Sequence, residues 1–138
     1  MNLKGFEAYD MHDRPIAFSI TENGVTFNAS VTKAIGEPEY AVLYINPTER
    51  LIVLKASSKI NRTSKVYMSK KKREKTVKSV RWSSEKLNRD IINLIEGENA
   101  QNSCLCGYKV FGKIVYIDED QKEPAVLFDL KNAKQIQW

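Results

Sequence analysis

Apolar residues in this chain come in short runs separated by polar turns, and most runs alternate like strands. Residues 15–19 (PIAFS) read as the start of a strand. The TENG turn at residues 21–24 follows, and Asn-Gly suits the left-handed dihedrals of a tight hairpin. VTF at residues 25–27 is then the returning arm. Asn28 is placed to cap the free amides of a helix. ASVTKAI, residues 29–35, is a short helix with Val31 and Ile35 four apart, stopped by Gly36 and Pro38. The next hairpin is clearer. YAVLYI at residues 40–45 and LIVL at 51–54 flank NPTE, which fits a type I turn with Asn first and Pro second. Both arms are nearly continuous apolar runs, which predicts cover on both faces from helices or a partner subunit.

Residues 56–79 break this pattern. The lead-in ASSKINRTSKVYMS is polar apart from Val66, Tyr67 and Met68. It predicts an extended excursion or a mobile arm. Order returns at VRWSSEKLNRDIINLIEG. Val80 and Trp82 alternate like a strand, Ser83 or Ser84 can cap, and Leu87, Ile91, Leu94 and Ile95 line one side of a helix that Gly97 ends. YKVFGKIVYI (108–117) and AVLFDL (125–130) form a second strand pair around an acidic tip, and KNAKQIQW closes the chain as a short helix or strap.

VTFNASVTKAIG and VRWSSEKLNRDIINLIEG share an order of Val, one residue, aromatic, cap, helix and glycine, each followed by a tyrosine-led strand and a hairpin. This raises an internal pseudo-duplication. The expected fold class is α+β, with two β-rich lobes and one well-defined amphipathic helix. A β-rich lobe with a short helix and hairpin spans residues 1–55. A polar and basic connecting arm spans 56–79, and a helix plus β-hairpin lobe spans 80–138. A homodimer, or a pseudo-dimer within the chain, would cover the apolar hairpin arms.

Composition sets bounds on function. The 138 residues are 42% hydrophobic and 28% charged, enough for one domain or two small lobes. No apolar run approaches the length of a membrane-spanning helix, and MNLKGFEAYD is not expected to be a secretory leader. Cys104 and Cys106 sit too close for an ordinary structural disulfide, so a reducing, cytoplasmic setting is expected.

Charge is concentrated. Residues 70–81, KKKREKTVKSVR, hold seven basic side chains and one acidic one, and the formal net charge of +5 comes entirely from them. Lys70, Lys71, Lys72, Arg73, Lys75, Lys78 and Arg81 supply enough positive charge for several phosphate contacts, which position a protein without reading sequence. Arg62 and Lys65 extend the surface. Tyr67 and Trp82 flank the run and could stack on an unpaired base, or serve as core residues, the reading the alternating VRW favours for Trp82. A solvated linker, or contact with an acidic protein surface, accounts for the same run.

VTFNASVTKAIG followed by EYAVLYINPTERLIVLKA, residues 25–55, resembles the swapped-hairpin module of AbrB-like transition-state regulators and related antitoxins. The parallels are Val25 to Phe27, Ile35 with Gly36, and Leu51 to Lys55. Asn28 stands where that family usually has proline, and Glu22 and Asn23 where it places basic residues. The resemblance implies a small DNA-binding regulator. The whole chain resembles small uncharacterised proteins of Gram-positive bacteria and their phages, which implies no single activity.

Catalysis finds little support. Asp10, His12 and Asp13 have ligand chemistry but read as a polar turn before Pro15. Cys104 and Cys106 offer two thiolates to zinc and need two more ligands. No phosphate-binding glycine loop is present, and Asp118, Glu119 and Asp120 read as a solvated turn. The expectation is therefore a non-enzymatic protein with no cofactor and no bound metal. Its partner is nucleic acid, DNA ahead of RNA, met through the basic arm, with no membrane contact. The alternative is a phage-type inhibitor, acting in counter-defence or host takeover. It would bind a host protein with an acidic surface, or a nucleotide, stoichiometrically.

Overall fold

The TENG turn brings two strands together where no side chain would fit. β1 (Ala17–Thr21) and β2 (Gly24–Phe27) form a hairpin. Gly24 has φ +140°, and a Cβ there would lie 2.7 Å from the Trp82 carbonyl oxygen. Only glycine allows that neighbouring strand so close. The structure is a computed structural model that describes residues 2–5, 15–58, 62–69, 79–97, 107–117 and 123–136.

Asn28 caps α1 (Ala29–Ala34), its Oδ1 accepting from the Val31 N–H at 3.1 Å. Its Nδ2 donates to the Pro15 carbonyl at 2.7 Å, which fixes the chain entering β1. β3 (Tyr40–Asn46) and β4 (Leu51–Ser57) form the apolar hairpin. Asn46 Oδ1 accepts from the Glu49 N–H at 3.0 Å, as the Asn-Pro turn predicts. The loop runs one residue beyond that turn, because Arg50 takes φ 57° before β4 begins.

That position lets Arg50 reach the second helix. α2 (Glu85–Glu96) starts at the Ser84 cap, whose hydroxyl accepts from the Leu87 N–H at 3.3 Å. Its last carbonyls have no partners within the helix. The Arg50 guanidinium donates to the Leu94 and Ile95 carbonyls, both at 2.6 Å. The predicted stripe is present: Ile91 and Ile95 are buried, with Leu87 and Leu94 packed partly against the core.

The remaining strands are β5 (Ser64–Val66), β6 (Val80–Trp82), β7 (Gly107–Tyr116), β8 (Pro124–Asp129) and β9 (Lys134–Ile136). All pairings are antiparallel. The order is β5-β3-β4-β8-β7-β1-β2-β6, with β9 also on β7, in one curled half-barrel sheet. This corrects the expected α+β fold of two lobes: the protein is mainly β. β4 pairs with β8, β7 with β1, and β2 with β6, so strands from residues 1–55 and 80–138 join at three seams. The physical reason lies in the edges. Either half alone would leave unpaired strand edges, and joining the halves satisfies them.

Two further expectations change. The lead-in to the basic run is not a bare excursion: β5 pairs with β3, and Tyr67 and Met68 just after it are buried. The closing segment forms a 3-10 turn at Leu130–Asn132 and then β9, rather than a helix. Among the described residues, the outer face of the apolar hairpin is covered at Val42 and open toward its tip. Ile52 and Leu54 point into the core, while Tyr44, opposite Val53 on the outer face, is 53% exposed.

The inner face leaves one place without room for a side chain. Gly112 lies mid-strand in β7, and a Cβ there would come 2.7 Å from both Phe128 Cε1 and Val126 Cγ1, which belong to buried residues. Gly112→Ala is expected to destabilise the fold by about 1–3 kcal/mol through overpacking. Urea unfolding checks this as a lower midpoint at unchanged slope. An unchanged midpoint would mean that the Phe128 ring can move aside.

Candidate nucleic-acid interface

β6 is three residues long, and its alternation assigns each side chain a face. Val80 and Trp82 are buried and Arg81 is exposed. Tyr67 and Trp82, considered for base stacking, are both core residues, 3% and 4% exposed. Their rings contact each other edge-on at 6.0 Å, and both contact Phe27. The Trp82 Nε1–H donates to the Val66 carbonyl at 3.2 Å, latching the β6 end of the sheet to the β5 end. Tyr67 OH and Thr32 Oγ1 share a buried hydrogen bond of 2.9 Å. A base could reach neither ring without opening the core.

Arg81 points the other way, into a row that crosses five strands. It lies opposite Thr26 on β2, Thr26 opposite Ser19 on β1, Ser19 opposite Lys109 on β7, and Lys109 opposite Lys134 on β9. Residues directly opposite in antiparallel pairs share a face. The flanking Phe18, Ile20, Val25, Phe27 and Val110 are buried, so this row lies on the outer face. Three of its five side chains are cations, two are hydroxyls, and none is a carboxylate. At roughly 4.8 Å per strand the row spans about 19 Å. Arg81 Nε donates to Thr26 Oγ1 at 3.3 Å, which steadies the guanidinium at one end.

At the other end, Phe111 sits two residues along β7 on the same face and is 40% exposed. The Lys109 and Lys134 ammonium groups each lie 5.4 Å from its ring centroid. Lys113 continues the outward positions of β7 and is exposed. Asp129, on the neighbouring strand, is engaged locally: it accepts from the Lys131 N–H at 3.0 Å and pairs with the Lys131 ammonium at 3.2 Å.

Of the basic residues named from sequence, Arg81 joins this surface. Arg62, before β5, and Lys65, within it, are exposed, and the Lys65 ammonium lies 5.9 Å from the Trp82 ring centroid. Lys70, Lys71, Lys72, Arg73, Lys75 and Lys78 lie outside the described residues, as do Asp10, His12, Asp13, Cys104, Cys106 and the acidic tip at 118–120. Lys109, Phe111 and Lys134 were not legible as a site in the sequence. The alternation in YKVFGK puts Lys109, Phe111 and Lys113 on one face, but only long-range pairing adds Arg81 and Lys134.

Other chemistry is sparse among the described residues. No group of three or more His, Cys, Asp or Glu side chains could hold a metal ion there, and no helix there is long and apolar enough to cross a membrane. A cleft of about 500 Å³ beside the start of α2 is lined by Glu22, Glu85, Asn88 and Arg89, among others. Its two hydroxyls serve structure: Ser84 caps the helix and Ser83 donates to the Asn23 carbonyl.

The buried Tyr67–Thr32 hydrogen bond carries a pH dependence. Burial pushes the Tyr67 phenol well above its ordinary value, and the Thr32 hydrogen bond only partly opposes this. The stability that this raised value reflects is fully present below about pH 10, the unfolded value. It is lost as pH rises from there through the folded value. Tyr67→Phe is expected to lose about 1 kcal/mol at neutral pH and to show a shallower alkaline decline. Urea midpoints between pH 8 and 12 check this, and parallel declines in the two proteins would rule out Tyr67 as the cause. Comparison with protein-family models, with curated proteins and with solved structures finds no match to this chain.

Proposed function

We propose that this protein binds nucleic acid without catalysing a reaction, gripping phosphates through a basic surface, and acts as a small cytoplasmic regulator. The observation that carries this reading is the row Arg81, Thr26, Ser19, Lys109 and Lys134, which brings cations from three separate parts of the sequence onto one face with no carboxylate among them. The basic run supports it. Met68 before the run and Val80 after it are both buried. The charge of residues 70–78 is therefore tethered at both ends to the body that carries the row. DNA is the preferred partner, as the resemblance to AbrB-like regulators implies.

A second reading is an inhibitor of phage type that binds a host protein with an acidic surface, or a nucleotide. The outward face of the β3–β4 hairpin favours it, because Tyr44 is more than half exposed there. Cationic side chains serve either partner, but phosphate binding releases counterions and so depends steeply on salt.

Titration of labelled single-stranded and duplex DNA and RNA at low and moderate salt tests the proposal. Binding is expected to weaken linearly in log affinity against log salt. Neutralising Arg81, Lys109 and Lys134 together should lower that slope by about 2–3. Neutralising Lys70, Lys71, Lys72 and Arg73 should lower it further. No binding at low salt would overturn the reading. A partner protein retained from lysate after nuclease treatment would then favour inhibition.

A further inference from the structure

Phe111 is an aromatic side chain on a sheet surface with two lysine ammonium groups, each 5.4 Å from its ring centroid. A ring held that way costs hydration without adding to the core. The position opposite it on β1 is Ala17, which is buried, while Phe111 itself stays 40% exposed. From this placement we infer that the outer face of β1, β2, β6, β7 and β9 is a binding surface for single-stranded DNA, with Phe111 stacking on an unpaired base and Arg81, Lys109 and Lys134 holding the phosphates. The inference rests on the nucleic-acid reading above and narrows it to one class of ligand.

The chemistry selects single strands. A duplex presents phosphates on its outside but keeps base faces stacked within, so a flat exposed ring gains nothing from it. A single strand offers a base face at each step, and every base has one. The surface has the matching layout: an aromatic near one end and a cationic row of about 19 Å, long enough for a few nucleotides. Lysine suits the dual contact at Phe111. Its flexible stem lets each ammonium move from the ring to a phosphate and so uncover the ring. At the far end, Arg81 is held by Thr26 and presents the rest of its fork to a second phosphate.

The same row gives RNA no advantage over DNA. Recognition of ribose needs an acceptor or donor fixed at the 2′-hydroxyl. The row contains no carboxylate and no side-chain amide. Its acceptors are the Ser19 and Thr26 hydroxyls, and Thr26 already accepts from Arg81. Phosphate and base face are therefore what the surface can read.

Fluorescence anisotropy with labelled oligo(dT), the matching duplex and oligo(U) tests this on the full-length chain. The variants are Phe111→Ala, Phe111→Tyr and the triple neutralisation Arg81→Gln, Lys109→Gln and Lys134→Gln. Phe111→Ala should weaken oligo(dT) binding about tenfold and leave the weaker duplex binding unchanged. Phe111→Tyr should restore the wild-type value, and the circular dichroism spectrum should be unchanged in both. If wild type binds duplex as tightly as oligo(dT), or Phe111→Ala weakens both alike, the single-strand inference fails while nucleic-acid binding stands. Tenfold tighter binding to oligo(U) would overturn the assignment to DNA. Should wild type bind none of the three at low salt, both readings fail together. Unchanged oligo(dT) binding in the triple variant removes this face from the interface, whatever the basic run does.

Discussion

Phe27 joins the parts of this protein that the sequence keeps far apart. Its ring contacts Phe18 on β1, Tyr67 after β5, Trp82 on β6 and Phe128 on β8. Edge-on and tilted rings in such a cluster add to simple burial, each pair by about 0.5–1.5 kcal/mol. Phe18 and Phe128 close the cluster with a centroid separation of 4.8 Å. Because these rings come from both halves of the chain, the halves cannot form separate cores. The single curled sheet follows from that constraint, and so does Gly112, the position in β7 where the Phe128 ring needs the space of a side chain.

The cationic row is the reverse side of the same arrangement. Side chains alternate along a strand, so every residue that puts a ring or branched chain into the core sends its neighbours outward. Trp82 inward places Arg81 outward, Phe27 places Thr26, Phe18 and Ile20 place Ser19, and Val110 places Lys109 and Phe111. The register that satisfies the core thereby fixes the cationic row. A slip of one residue in any seam would exchange the two faces. The polar row is specified as strongly as the aromatic cluster that sits behind it.

What could be read from the sequence was local. The Asn28 and Ser84 caps, the Asn-Gly and Asn-Pro turns and the stripe of α2 depend on neighbours within four residues, and each is present as the residues require. β5 and β9 were missed because SKV and KQI carry one apolar residue each and so show no alternation, and their stability comes from pairing with β3 and β7. The two-lobe α+β fold was wrong for the same reason. Hairpins are visible locally, but the seams β4–β8, β1–β7 and β2–β6 join residues far apart in sequence. The candidate site divided along the same line. Arg81 was legible as part of a charge run, while Lys109, Phe111 and Lys134 became a site only when β7 was placed beside β1 and β9.

The segments that flank the basic run bear on whether it is a linker. A linker separates two bodies, and here the segments before and after the run belong to one. Tyr67 and Met68 enter the core on one side and Val80 and Trp82 on the other. The Trp82–Val66 hydrogen bond holds the two anchor points together. Ser69 and Ser79 thus lie next to the two end strands of the sheet, β5 and β6, which meet near Arg81. Under the nucleic-acid reading proposed above, a run joined at both ends to one body and the cationic row would act on one polyanion as linked sites. Cutting the latch would loosen that coupling without removing a single positive charge.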